Sequence, residues 1–402
     1  MPPSISIPFV QVCRHLELPT VATYAGVCLW NWKPIFLNEH FDTLDNLATL
    51  ATFTGSSDES WFYLISVAIE ARGGPLIPLM LKAITAARAN DSLTVTECLQ
   101  IFAERVDELG SLFQKMYPDC DPRVFYHRIR PFLAGGKNMA DAGLPNGIIF
   151  DTGSAKDRYC QYAGGSNAQS SLIQFLDIVL GVEHRPTGSR KPADNSTGTE
   201  VEGPTAPPPR NNFIHDMRTS MPGPHRRFLE EVGSVANIRE YVAANPSDRP
   251  MSIAYDACLA MLRNLRDKHI QIVSRYIVVK ARESQTHPQS LSPPAAPSQQ
   301  DPLNLANAHR DTQTDASTGS RNLRGTGGTT ALIPFLKQAR DETVEPAVNA
   351  WVRRTMTNSP GGNASNFAAL GSMGEHADGQ LGVVGLAGVW RIDDSEGGIC
   401  HW

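Results

Sequence analysis

Along Met251–Arg282 the residues Ala254, Cys258, Met261, Leu265, His269, Ile272 and Tyr276 recur at alternating steps of three and four. They therefore share one helical stripe, while Arg263, Arg266, Asp267 and Lys268 fall mostly off it. The pattern predicts a long amphipathic helix with an imidazole midway along its buried face. SWFYLISVAIEARGGPLIPLMLKAITAARA, from Ser60, is almost wholly apolar, which predicts buried helix broken at Gly73-Gly74-Pro75. SLTVTECLQIFAERVDELGSLFQKMYP is amphipathic, with Ser92 or Thr94 expected to cap it. PRVFYHRIRPFLAG reads as a helix starting at Pro122 and bent or ended by Pro131. A glycine turn feeds a helix in YAGGSNAQSSLIQFLDIVLGV, and HDMRTSMPGPHRRFLEEVGSVANIREYVA returns to helix. ALIPFLKQARDETVEPAV closes the series as a last amphipathic helix. Strand patterns are few, so the fold class expected is all-α.

Two stretches, 184–212 and 284–324, are polar, rich in Pro, Gly and Ser, and without period; both are expected to be flexible loops. Residues 1–53 hold short apolar segments and the aromatic run from Tyr24 to Trp32, too little to close a domain alone. The helical body should span 54–355, and the Gly-rich stretch 356–402 should form a loosely ordered tail.

Composition narrows the class without defining a chemistry. A formal charge of −5 over 402 residues offers no basic field for nucleic acid. Seven cysteines are scattered with no C-x-x-C pair, so neither a disulfide framework nor a zinc site is indicated. The N-terminus lacks a charged region followed by an apolar run, and the longest apolar stretches read as broken short of a membrane span. A cytoplasmic protein without membrane attachment is the expectation.

Motifs for common hydrolases and nucleotide enzymes are missing: there is no HExxH, GxSxG or GxxxxGK[ST]. The run Gly325-Thr-Gly-Gly-Thr-Thr330 resembles a phosphate loop but has no lysine and no preceding strand, leaving a mobile lid or a linker. His269 has two readings. It is a hydrogen-bonded core histidine, or it is an axial ligand, since haem iron needs a neutral imidazole on a rigid helix. Ser66 in an apolar helix and Arg130 five positions after Phe125 are unusual for pure core. Either has an ordinary explanation, yet together with aromatics they supply what an aromatic amino acid needs: a fork for its carboxylate, flat rings, and a hydroxyl near a ring N–H.

These residues sit in blocks that resemble indoleamine 2,3-dioxygenases. SWFYLISVAIEA, YAGGSNAQSSLIQFLD, HDMRTSMPGPHRRFL, LRNLRDKHIQIVSRYI and RGTGGTTALIPFLK occur in the family's order, and the similarity runs from about Pro8 to about Thr355. The resemblance implies a large helical domain holding haem b, with residues 1–53 as the remnant of a small N-terminal domain. It implies that His269 ligates the iron and that Arg130 pairs with the substrate carboxylate. Phe62 and Phe125 would press on the indole, Tyr24, Val27, Cys28, Tyr63 and Leu133 would complete the wall, and Ser66 would lie near the indole N–H. Gly165, Ser166 and Asn167 would approach the haem edge, Asn167 standing where a small apolar residue is usual. Arg266 and Asp177 would pair near a propionate, and Thr326 would close over the substrate ammonium. The activity implied is insertion of O2 across the indole C2–C3 bond of L-tryptophan or a related indoleamine. N-formylkynurenine would form at the head of the kynurenine pathway, in a monomer served by an external reductant. The alternative is an inactive haem-binding or haem-sensing homologue.

Overall fold

The computed structural model describes residues 1–139, 143–154, 157–188, 212–286 and 329–349, together with strands at 382–385 and 388–391. Helices dominate. In chain order they are α1 Pro3–His15, α2 Ser57–Gly73, α3 Leu76–Arg88, α4 Ser92–Gln114, α5 Met116–Asp119, α6 Pro122–Val124, α7 Ser171–Val179, α8 Phe213–Met217, α9 Gly223–Val235, α10 Ile238–Ala244, α11 Arg249–Val273, α12 Lys280–Thr286 and α13 Thr329–Glu342. Strands contribute three two-residue to four-residue antiparallel ladders: β1 Trp32–Pro34 with β2 Leu47–Thr49, β3 Ile148–Ile149 with β4 Tyr159–Cys160, and β5 Gly382–Gly385 with β6 Gly388–Arg391.

The centre is α11 laid along α4, with α2 and α3 on the other flank of α4 and α13 against α11. Of the predicted stripe, Ala254, Cys258, Leu265, Ile272 and Tyr276 are buried, whereas Met261 and His269 keep partial exposure. The off-stripe charges do not face solvent as an amphipathic reading would have it. Arg263 is buried, 3.8 Å from Asp267 and 3.9 Å from Asp341, and Arg340 of α13 reaches Asp267 at 3.1 Å. Packing on more than one face turns the polar side of α11 into an ionic seam.

The helix ends follow from short polar side chains. Asp248 caps α11 by accepting from the Met251 N–H at 3.1 Å, and Ser170 caps α7 through the Ile173 N–H at 3.2 Å. At α4 the cap is Asp91, accepting from the Thr94 N–H at 3.1 Å, rather than Ser92 or Thr94. The run from Ser57 to Arg88 is, by length and composition, apolar enough to cross a membrane, contrary to the sequence expectation. Half of it is buried inside the protein, with Leu64, Ile65, Val67, Ala68, Ile69, Met80, Ala83 and Ile84 in the common core. Its apolarity is that of central packing helices.

Residues 1–53 contribute α1 and β1–β2, and Tyr24, Cys28, Leu44 and Leu47 join the same core as the helical body. The stretch expected to be flexible from His184 is packed at its start: Asn212 Nδ2 donates to the His184 carbonyl at 2.5 Å, and the Gly188 N–H donates to Gln338 of α13 at 2.8 Å. Residues 189–211 lie outside the described residues. Residues 284–286 continue α12, and the rest of the second polar stretch, together with Thr326, lies outside them too. Among the described residues, wide, π-type turns stand alone at Ala25–Leu29 and continue helical segments at Phe125–Ile129 and Ser274–Val279.

Candidate haem and substrate site

His269 sits four residues before the end of α11, its ring stacked on Phe113 of α4 with centroids 5.7 Å apart and planes at 29°. It lies deep in the protein, yet its surface is partly open, as for a side chain that lines an internal space. Among the described residues it makes no hydrogen bond. Burial, reinforced by the Arg266 charge, pushes its pKa down to about 4. The imidazole is therefore neutral at ordinary pH, with a nitrogen lone pair to give.

Seven positions after His269, Tyr276 lies in the wide turn that extends α11. Its hydroxyl donates to the carbonyls of Met116 and Cys120 at 2.9 and 2.7 Å, which fixes the ring. Phe125 meets Tyr276 edge-on at 5.7 Å, and Phe62 of α2 meets Phe125 at 4.9 Å. Tyr63 follows at 5.5 Å from Phe62, its hydroxyl donating to Glu59 at 3.0 Å. An aromatic wall thus runs from α11 to α2.

Beside this wall Ser66 faces the Cys28 thiol and the Tyr24 phenol, and burial pushes both of those groups well up and keeps them neutral. Tyr24 donates to Glu70 at 2.9 Å, and Ser170 donates to the same carboxyl oxygen at 2.5 Å. Glu70, three residues before the end of α2, is itself shifted up by burial. Val27 and Leu133 pack on the core nearby. Arg130 is half-buried, with its guanidinium over the Tyr126 ring at 5.3 Å and no acidic partner among the described residues. Burial lowers its pKa, and the Tyr126 phenol partly offsets that.

The turn before α7 is set by a backbone crossing. The Gly165 N–H donates to the Leu133 carbonyl at 3.1 Å, and a Cβ on Gly164 would lie 1.9 Å from that same oxygen. Gly135 is held in the same way, a Cβ there lying 2.2 Å from the Tyr162 carbonyl, so this crossing requires glycine at both Gly135 and Gly164. Ser166 accepts from the Ala168 N–H at 3.2 Å, and the Asn167 carbonyl accepts from the Ser170 N–H at 3.0 Å. Gln169 links the turn to the far wall, accepting from the Tyr24 N–H and donating to the Gly164 carbonyl, both at 2.9 Å.

One turn before His269, Arg266 grips Asp177 of α7 at 2.6 and 2.7 Å and also bonds the Thr343 hydroxyl. His184 completes the group, with Nε2 3.1 Å from Asp177 and Nδ1 2.7 Å from Glu342. Burial opposes the charge of Asp177, but Arg266 and His184 outweigh it and hold the carboxyl below its usual range. Glu70, Gln169 and His184 were not singled out in the sequence. Glu70 closes an apolar helix and His184 opens a polar run, so neither stands out by pattern.

The donor set fits a porphyrin iron. Among the described residues no three His, Cys, Asp or Glu side chains converge to hold a bare ion. Iron already held by four porphyrin nitrogens needs only an unengaged neutral imidazole, and His269 supplies one. Fold and site together fit a helical haem protein, with an aromatic wall running from the helix that carries an unengaged neutral imidazole. The comparisons sharpen this: the chain belongs to the indoleamine 2,3-dioxygenase family, whose model matches residues 1–346. It is 38% identical over 360 residues to an indoleamine 2,3-dioxygenase of Saccharomyces cerevisiae, covering 86% of this chain and 73% of that protein. An indoleamine 2,3-dioxygenase of Aspergillus candidus is 37% identical, with 86% and 74% covered. A 6-hydroxytryptophan 2,3-dioxygenase of Fusarium equiseti is 36% identical with the same coverage. These are haem dioxygenases, and haem b is the cofactor.

Proposed function

We propose that this chain inserts O2 across the indole C2–C3 bond of L-tryptophan, giving N-formylkynurenine, the opening reaction of tryptophan breakdown. The observation that carries the substrate is Arg130, a half-buried guanidinium without an acidic partner among the described residues, five positions after Phe125 in the aromatic wall. A desolvated cation of this kind gains most from a carboxylate brought by the ligand. Phe62 and Phe125 offer rings against which an indole stacks, and Tyr24, Val27, Cys28, Tyr63 and Leu133 keep water from it. Ser66 presents a hydroxyl to the indole N–H. His269 holds the haem iron, Arg266 with Asp177 faces a propionate, and Gly165, Ser166 and Asn167 border the haem edge. Thr326 is assigned to the substrate ammonium from the resemblance alone.

When bound, the haem supplies the oxygen chemistry. The protein's share is orientation and dryness. Ser66, Cys28 and Tyr24 are neutral in this setting, so the wall provides no charged acid to draw oxygen chemistry elsewhere. We take the chain to work as a monomer with an external reductant, in the cytoplasm, where free thiols such as those of Cys13, Cys28, Cys98, Cys120, Cys160 and Cys258 persist. A ring-hydroxylated tryptophan is the second reading, favoured by the likeness to the Fusarium 6-hydroxytryptophan 2,3-dioxygenase.

The test is mass spectrometry of products from haem-loaded full chain with reductant, O2 and either L-tryptophan or 6-hydroxytryptophan. Ring-opened tryptophan is the expected product, and Arg130→Ala should raise KM by roughly thirtyfold, for about 2 kcal/mol of charge-assisted hydrogen bonding, with haem content unchanged. Faster turnover of the hydroxylated substrate would shift the conclusion to the second reading. A fully haem-loaded chain that opens neither ring is no dioxygenase of indoles.

A further inference from the structure

The His184 ring is sandwiched between two carboxylates on different helices. Nε2 is 3.1 Å from Asp177 of α7, Nδ1 is 2.7 Å from Glu342 at the end of α13, and the side chain is 5% exposed. A neutral imidazole has one N–H and one lone pair, so it would turn that lone pair onto a carboxylate oxygen. Only the imidazolium donates to both. We propose that His184, as an imidazolium bridging Asp177 and Glu342, is a positioning residue that docks α13 on the core and holds Arg266 in place beside the haem ligand. This rests on the functional reading above only where it touches turnover.

The surroundings carry the inference further. Glu342 also accepts from the Arg185 N–H at 3.2 Å and from Gln338 at 2.8 Å, and Arg185 pairs with Glu345. Thr343, next to Glu342, accepts from Arg266. Arg266 therefore touches α7 through Asp177 and the end of α13 through Thr343, and His184 spans the same two elements one layer out. In sequence the Gly-Thr run leads directly into α13. Charges around the ring are Asp177, Glu342 and, 3.5 Å from Nε2, Arg266. Glu183 turns away to Arg239 at 3.4 Å, and burial, with Arg218 and His184 beside it, lowers the pKa of His215 of α8. Asp177, His184, His215 and Arg218 border a cleft of about 480 Å³, which gives protons a route to the ring.

Burial works against the charge on His184, but Asp177 and Glu342 outweigh it and raise the ring above the usual imidazole range. The sign follows. A raised folded value means the bridge contributes fully below the unfolded pKa of about 6.5 and is lost as pH climbs through the higher folded value. Docking of α13 should weaken on the alkaline side.

The experiment uses the full chain, haem-loaded and held diamagnetic under carbon monoxide, with 15N-labelled histidine. His184→Gln assigns the ring signals. Imidazolium shifts at both nitrogens of His184 at pH 7, with a midpoint above that of exposed histidines, are expected; a neutral ring at pH 7 overturns the proposal. Hydrogen exchange of α13 amides, corrected for intrinsic rate, should lose up to about tenfold protection per pH unit between about pH 6.5 and that midpoint, and level off above it. His184→Gln should lower protection at pH 6 and remove the pH dependence. Identical profiles in the two proteins would refute the bridge. If His184→Gln does not fold, the wild-type shifts and exchange profile alone decide. Kinetics separate the two claims: no ring opening with an intact pH-dependent bridge sinks the functional reading only, whereas normal turnover with a neutral His184 sinks the bridge only.

Discussion

Toward α7 and α13, Arg266 meets Asp177, Asp177 meets His184, His184 meets Glu342, and Glu342 meets Gln338 and the Arg185 N–H. Toward α2 and the segment after Pro122, the wall is mostly rings, with Glu59 and Glu70 accepting from tyrosine hydroxyls, and Arg130 lies over Tyr126 without an acid among the described residues. Both regions bury charge; they differ in what answers it. In the first, protein answers protein, so the network serves architecture and its removal should cost stability. In the second, Arg130 has no protein acid to answer it among the described residues, and on the proposed reading the substrate carboxylate does so. A chain with both kinds of site separates the part that must stay put from the part that must respond.

Four substitutions test that contrast, the largest effect first. His269→Ala should abolish the Soret band and its shift under carbon monoxide, since it removes the imidazole assigned to the iron; a retained spectrum would place the ligand elsewhere. Asp177→Asn should lower unfolding free energy by about 3 kcal/mol or more, measured by denaturant titration, because it strands Arg266 and His184 in a buried setting. The same carboxylate shapes the acid limb. Its pKa is lowered on folding, so its contribution is complete above about pH 4 and fades as pH falls through the folded value. Asp177→Asn should therefore flatten that limb. Tyr24→Phe should cost about 1 kcal/mol, the hydroxyl having donated to Glu70, with haem retained. Arg130→Met should change stability by less than about 0.5 kcal/mol, or raise it, while tryptophan affinity collapses. A marked loss of stability in Arg130→Met would erase the distinction between the two regions.

Legibility in the sequence tracked the same division. The stripe on α11 and the apolar run of α2 announce themselves because burial imposes a period or removes polar residues, and His269 stood out against that pattern. Ser66 and Arg130 were visible as misfits in apolar surroundings. On the ionic side the resemblance supplied the Arg266–Asp177 pair, which the structure shows, while the residues themselves gave little sign of it. Arg266 and Asp177 are 89 residues apart, and nothing local to either marks its partner. His184 begins a polar, proline-rich run and reads as loop, yet three elements bury it. Helix α1 was missed for a simpler reason: Ile5, Ile7, Phe9 and Val12 are exposed and only Ser6 and Cys13 are buried, so no stripe forms. The need for glycine at 164 was not legible because the crossing with Leu133 brings together segments far apart in sequence.

The wide turns at Ala25–Leu29, Phe125–Ile129 and Ser274–Val279 carry Cys28, Phe125 and Tyr276, three members of the pocket wall. A π turn is an α-helix with a residue in surplus, and one residue corresponds to about 100° of rotation. Excising that surplus from the Phe125–Ile129 turn would leave hydrophobic content almost untouched while swinging Arg130 about a quarter-circle relative to Phe125. The pocket is thus written in angular phase as much as in side-chain identity, and insertions or deletions of one residue there would retune it more sharply than most substitutions.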